Sequence, residues 1–157
     1  MSCDAFAFSA MLWLASTAPV AAPASAPSAV IAPAPVAGDP LFADIVRRAA
    51  RLKAEAEGMR KANLDGSLAA IPAFAGFKAE IAALADLDMK GHVLLAQRGT
   101  DGDLKCILRG ISQDLPVKLH DLEAAATAHD RDLALREMTY LLRDNVEVIT
   151  APSAPPA

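Results

Sequence analysis

The chain is short of the residues that usually carry chemistry. It has two cysteines, Cys3 and Cys106, and three histidines, His92, His120 and His129. Two Cys exclude a disulfide scaffold and a cysteine-built zinc domain. Beyond residue 18 the only aromatics are Phe42, Phe74, Phe77 and Tyr140, too few to line a ligand pocket of the usual aromatic kind. HExxH, CxxC, CxxCH, GxGxxG and GxxxxGKS/T are all missing, so no common metal, haem-attachment or nucleotide signature is available. Basic charge is not in excess: 15 Lys+Arg stand against 19 Asp+Glu, and the pI is near 5.3. Nucleic-acid-binding domains usually lie above a pI of about 9, so no nucleic-acid partner is expected.

Charge is also missing from one whole region. Apart from Asp4, no charged residue precedes Asp39. Six of the eleven prolines fall between Pro19 and Pro40, and three more close the chain at Pro152, Pro155 and Pro156. The run Ala5–Ala18 is fourteen uncharged residues long, short of the roughly 20 that span a bilayer. Its length suits the apolar part of a secretory signal, with small residues following at Ala18–Ala22. No Lys or Arg precedes it, so the expected basic start is absent. Either translation begins upstream of Met1, or the run stays attached as an apolar tail with weak membrane association. Cys3 precedes the run, which argues against lipid attachment there. Repeated Pro favours extended polyproline II and a semi-rigid spacer. The expected organisation is an apolar leader at 1–22, an Ala/Pro linker at 23–38, a folded domain at 39–150 and a tail at 151–157. The N-terminal segment and the tail are expected to be disordered, and the location periplasmic or secreted, with a membrane-tethered or cytoplasmic location as the alternative.

The folded domain reads as four helices. Asp39 is a good N-cap, and Pro40 suits the first helical position, where its missing N–H is not needed. Phe42, Ile45, Ala49, Leu52, Ala56 and Met59 follow in steps of three and four, a bundle seam. Asp65–Gly66 marks the first turn. The second helix is expected from about Pro72 to Arg98, with Phe74, Phe77, Ile81, Leu84, Leu87 or Asp88, Gly91 and Leu94 or Leu95 inside. Gly99-Thr100-Asp101-Gly102 breaks it, and Asp101 or Asp103 is a cap candidate for the third. That helix buries Leu104, Leu108, Ile111, Leu115, Leu119 and Leu122, with a kink expected near Gln113 from Pro116. Asp130 is expected to cap the fourth, whose seam is Leu135, Met138, Leu142, Val146 and Ile149. Short connections favour antiparallel neighbours, so the expected fold is an all-α, up-down-up-down four-helix bundle.

Two constellations offer donor atoms. Counting back from the turns near Gly66 and His129 brings Met59, Phe74, His120 and Met138 to one layer, about 10–13 Å from one end. Met59 and His120 across such a cleft suit haem iron; the competing reading is a gap-filling Met and a boundary His. Asp88, Met89 and His92 share a helical face and present oxygen, sulfur and nitrogen, a set for a divalent metal or copper. The competing reading is a solvated polar face with an Asp–His pair. Cys106 is expected to be buried, with an intermolecular disulfide as the alternative. Gly91 and Gly110 are expected where another helix comes close. The basic stretch Arg47, Arg48, Arg51 and Lys53 is diluted by acids, with Asp44–Arg48 and Glu57–Lys61 pairs expected. The reading of function is an exported, non-enzymatic module that binds an unidentified protein and is compatible with homodimerisation. No cofactor is expected; a periplasmic haem or metal carrier is the alternative.

Overall fold

A computed structural model describes residues 36–62, 68, 71, 73–99 and 102–151. The leader, almost all of the linker, the Asp65–Gly66 turn, Pro72, Asp101 and the tail beyond Ala151 lie outside the described residues. The domain is the expected antiparallel four-helix bundle, with α1 at Pro40–Lys61, α2 at Phe74–Arg98, α3 at Gly102–Ala124 and α4 at Ala128–Thr150. No strand occurs among the described residues. Val36–Gly38, placed by composition in the linker, forms a 3-10 turn, and Val36 packs on the core. No helix among the described residues is long and apolar enough to cross a membrane.

The heptad seam explains the packing. In α1, Phe42, Ile45, Ala49, Leu52 and Ala56 are buried. In α2 the buried set includes Phe74, Phe77, Ile81, Leu84, Asp88, Gly91 and Leu95, steps of three and four without a break. That repeat keeps one stripe inward along the full length of a helix. Of the paired alternatives, Asp88 and Leu95 are therefore inside, and Leu87 and Leu94 are half-buried at the edge. In α4 the same alternation runs Leu135, Met138, Leu142, Asn145, Ile149. Asn145 occupies the seam place expected for Val146, which is half-buried beside it. In α3, Leu104, Leu108, Ile111, Leu115 and Leu122 are buried, and Leu119 is half-buried. The α3 helix continues across Pro116, which is exposed.

The helix ends account for the chain reversals. Asp39 Oδ1 accepts from Leu41 N at 3.0 Å, and Pro40 follows it as expected. Gly99 ends α2 in the left-handed region, φ 65°, which favours glycine. The α4 cap is Thr127 rather than Asp130. Its hydroxyl accepts from Asp130 N at 3.1 Å and donates to Asp130 Oδ2 at 2.7 Å. The Thr-x-x-Asp spacing is a capping box, in which the acid supports the cap from the third helical position.

Around the ring, α2 packs most extensively on α3, and α1 on α4; α3–α4 and α1–α2 contacts close it. Thus α2 and α4 face each other across the diagonal. Ion pairs mark the antiparallel order. Arg98 at the end of α2 meets Asp39 at 2.9 Å, Arg60 at the end of α1 meets Asp132 at 3.0 Å, and Lys78 meets Glu123. We call the two ends of the bundle the Asp39 end and the Thr127 end.

Candidate functional site

The α2 seam carries one carboxylate into the core. Asp88 is fully buried, and so is Asn145, which reaches it from α4. Asn145 Nδ2 donates to Asp88 Oδ2 at 2.8 Å, so a single hydrogen bond spans the bundle diagonal. The other oxygen of each side chain, Asp88 Oδ1 and Asn145 Oδ1, is buried with no hydrogen-bond partner. Burial pushes the Asp88 carboxyl up from its usual 3.8 to about 7, against the opposing pull of the Asn145 bond. Desolvation penalises the charged form. The sequence held the signal for Asn145: the alternation from Met138 and Leu142 reaches 145, and only the apolar character of Val146 drew the register one residue on.

The three donors expected on one face of α2 part company. Asp88 points inward, Met89 is 36% exposed, and His92 is half-buried, its Nδ1 2.7 Å from the carbonyl oxygen of Lys105 on α3. No group of three or more His, Cys, Asp or Glu able to hold a metal occurs among the described residues. Of the haem layer, Phe74 and Met138 are buried in the core and Met59 is half-buried against it. His120 is exposed, while its neighbour Leu119 packs on the core. Three of the four residues thus turn inward; of the two expected iron ligands, Met59 is half-buried and His120 turns to solvent.

Gly91 is the close approach that was expected. A Cβ there would stand 3.1 Å from Leu108 Cδ1 and Phe42 Cε1 and 3.5 Å from Ile45 Cδ1. Gly110 is not: nothing lies within 4 Å of where its Cβ would be. Cys106 is half-buried rather than buried, and it is not a free thiol.

The basic stretch of α1 is matched by acids. Arg48 contacts Asp44 at 3.1 Å and Glu80 of α2 at 2.9 Å, and Arg51 reaches Glu80 at 2.7 Å. Arg47 also pairs with Asp44. Glu57 pairs with Lys53 at 3.0 Å rather than with Lys61. The Lys53 bond is the main reason that Glu57 lies below the usual carboxylate range; Lys61 adds a weaker attraction.

Open grooves occur on the surface of the described residues, and two are apolar enough to note. One, of about 440 Å³, runs between the end of α3 and the start of α4. Its floor is Ala124, Ala125, Ala126, Ala134 and Leu133, and Lys118, Asp121, Asp130 and Glu137 edge it. Leu133 is 41% exposed. The second, of about 380 Å³ near the Asp39 end, is lined by Leu41, Met89, Lys90, Val93, Leu94 and Gln97. No protein-family model, curated protein or solved structure matches the chain. Function is therefore argued from these groups alone.

Proposed function

We propose that the chain is an exported, non-enzymatic adaptor. The Ala/Pro stretch serves as its stalk, and the α3–α4 groove grips an apolar-anchored, basic segment of another protein. One observation carries this reading: an apolar floor with an exposed Leu133, edged by three carboxylates and one lysine. A helix or extended segment with one or two apolar anchors would bury the floor, which is how helix-in-groove recognition gains affinity. Lys or Arg flanking the anchor would meet Asp121 and Glu137. Such rim charges set encounter rate and partner choice more than they set affinity. Haem or metal carriage has less support, because His120 is exposed and Asp88, Met89 and His92 diverge.

Fluorescence anisotropy with two synthetic amphipathic peptides tests the reading. The two share an apolar pattern, and one has Lys flanks where the other has Glu. The basic peptide is expected to bind at least about tenfold more tightly, with the preference shrinking as salt screens the rim. Asp121→Lys with Glu137→Lys is expected to reverse the preference, and Leu133→Glu to abolish binding. Equal affinity for both peptides, or none for either, overturns the groove assignment. A Soret band or stoichiometric metal in protein purified from its own compartment would instead establish the carrier.

A further inference from the structure

We propose that Asp88 holds a proton in the folded bundle and shares it with Asn145 in a reciprocal acid–amide pair, which makes the centre of the Asp39 half a proton-controlled tie between α2 and α4. Two buried oxygens are left without partners. Asp88 Oδ1 and Asn145 Oδ1 are both acceptors when the carboxyl is ionised, so neither can satisfy the other. Buried polar atoms without partners are rare in native proteins. A single proton on Asp88 Oδ1 makes it a donor and gives the Asn145 oxygen something to accept. The Asn145 nitrogen already bonds the other carboxylate oxygen at 2.8 Å, which holds the two groups together. One proton thus settles both orphan atoms and removes the buried charge.

Among the described residues no nearby charge offers another way to keep Asp88 ionised. Gly91, one turn along α2, packs on Phe42, Ile45 and Leu108, which fixes the level of the neighbouring helices. The ionisable residues flanking that level are Asp44, Arg47 and Arg48 on α1, and Arg109 and Asp114 on α3. On α4 they are Arg143, Asp144 and Glu147, and on α2 itself Asp86, Lys90 and His92. All of them are exposed or half-buried at the outer surface. The Asp88 carboxyl responds to burial and to Asn145 only. Arg131, the other ionisable residue buried among the described residues, sits fourteen positions before Asn145, about 21 Å away along α4.

The sign of the pH effect follows. The folded state keeps the Asp88 proton up to about pH 7, whereas an unfolded Asp releases it near pH 4. Folding is therefore favoured on the acid side, and the advantage is lost as pH rises through the folded value. From this group alone, the folding equilibrium constant falls about 100-fold between roughly pH 5 and pH 8.

Carbon-13 NMR of the side-chain carboxyl carbons in the full chain tests this directly. Asp88 is expected to remain in the protonated position at about pH 5.5, after surface aspartates have titrated. If Asp88 titrates together with them, the proposal is overturned. Urea unfolding of the wild type and Asp88→Asn at about pH 5 and about pH 8 gives a second reading. The three histidines are common to both proteins, so the difference isolates Asp88. A roughly 100-fold divergence between the two pH values supports the shared proton, and a difference below about twofold overturns it. Should the variant not fold, the carboxyl titration of the wild type decides alone.

Discussion

The two halves of the core solve the same packing problem differently. Towards the Thr127 end, Phe74, Phe77, Leu122, Leu135 and Met138 fill the centre, with the Phe74 and Phe77 rings stacked at 6.3 Å. Thr139 is buried there, but its hydroxyl bonds the Leu135 carbonyl of its own helix at 2.7 Å and asks nothing of a neighbour. Towards the Asp39 end, Gly91 lets Phe42, Ile45 and Leu108 close on α2, and Asp88 meets Asn145 across the diagonal. The first half is held mainly by apolar burial, which is non-directional and insensitive to pH, although Arg131 is buried in that half too. The second is held partly by one oriented bond, whose worth depends on a proton. An apolar layer gives more stability than a buried polar pair, while a polar pair discriminates between alignments.

Truncation should separate the halves most sharply. Phe77→Ala empties a buried aromatic site and should cost about 3–5 kcal/mol, by the same amount at about pH 5 and about pH 8; denaturant midpoints at both values check it. Making the Asp39 half as dry as the other is the converse experiment. Asp88→Leu with Asn145→Leu should raise stability by about 1–4 kcal/mol and abolish the neutral-pH dependence. A gain present only in calorimetry at about pH 8 would mean that the pair costs nothing while protonated. Gly91→Val forces a branched side chain against Phe42 and Leu108, and should lower stability by about 1–3 kcal/mol through overpacking. Thermal unfolding reads it, and the loss should not vary with pH. The smallest effect is at the far end: Thr127→Ala removes the α4 cap and should cost about 1 kcal/mol, seen as faster amide exchange in the first turn of α4.

The surface adds a pH dependence of opposite sign. Arg98, together with the Leu41 amide, holds the Asp39 carboxyl below its usual range, and Arg60 does the same for Asp132. Contributions of that kind are present above the unfolded carboxylate value near 4 and are lost as pH falls through the folded one. Asp88 works the other way, and its loss comes near neutrality. The two together should place the stability maximum on the acid side of pH 7, and a urea series across pH locates it.

The seam was legible because a heptad needs only apolar spacing. Phe42 to Ala56 and Phe74 to Ile81 could be read residue by residue. The polar partner was not, because Asn145 and Val146 compete for one place and composition favours Val. The three-four alternation from Leu142 points to 145, and Asp88, facing it across the diagonal, gives that place its polar partner. The α4 cap was missed for a related reason. Asp130 is a good cap by residue type, but the chain turns three residues earlier, where Thr127 can bond both the amide and the carboxylate of Asp130. His120 borders the Leu115–Leu122 stripe, but Leu119, already part of that stripe, takes the place against the core and leaves His120 to solvent.

Gly91 also limits how α2 can slide. A slip of one heptad would bring Leu84 or Arg98 to the place where Phe42 and Leu108 leave no room even for a methyl group at ordinary contact distance. Repeating apolar stripes tolerate such translations, and bundles built from them are prone to mis-threading. Here a missing side chain serves as the notch that admits a single alignment.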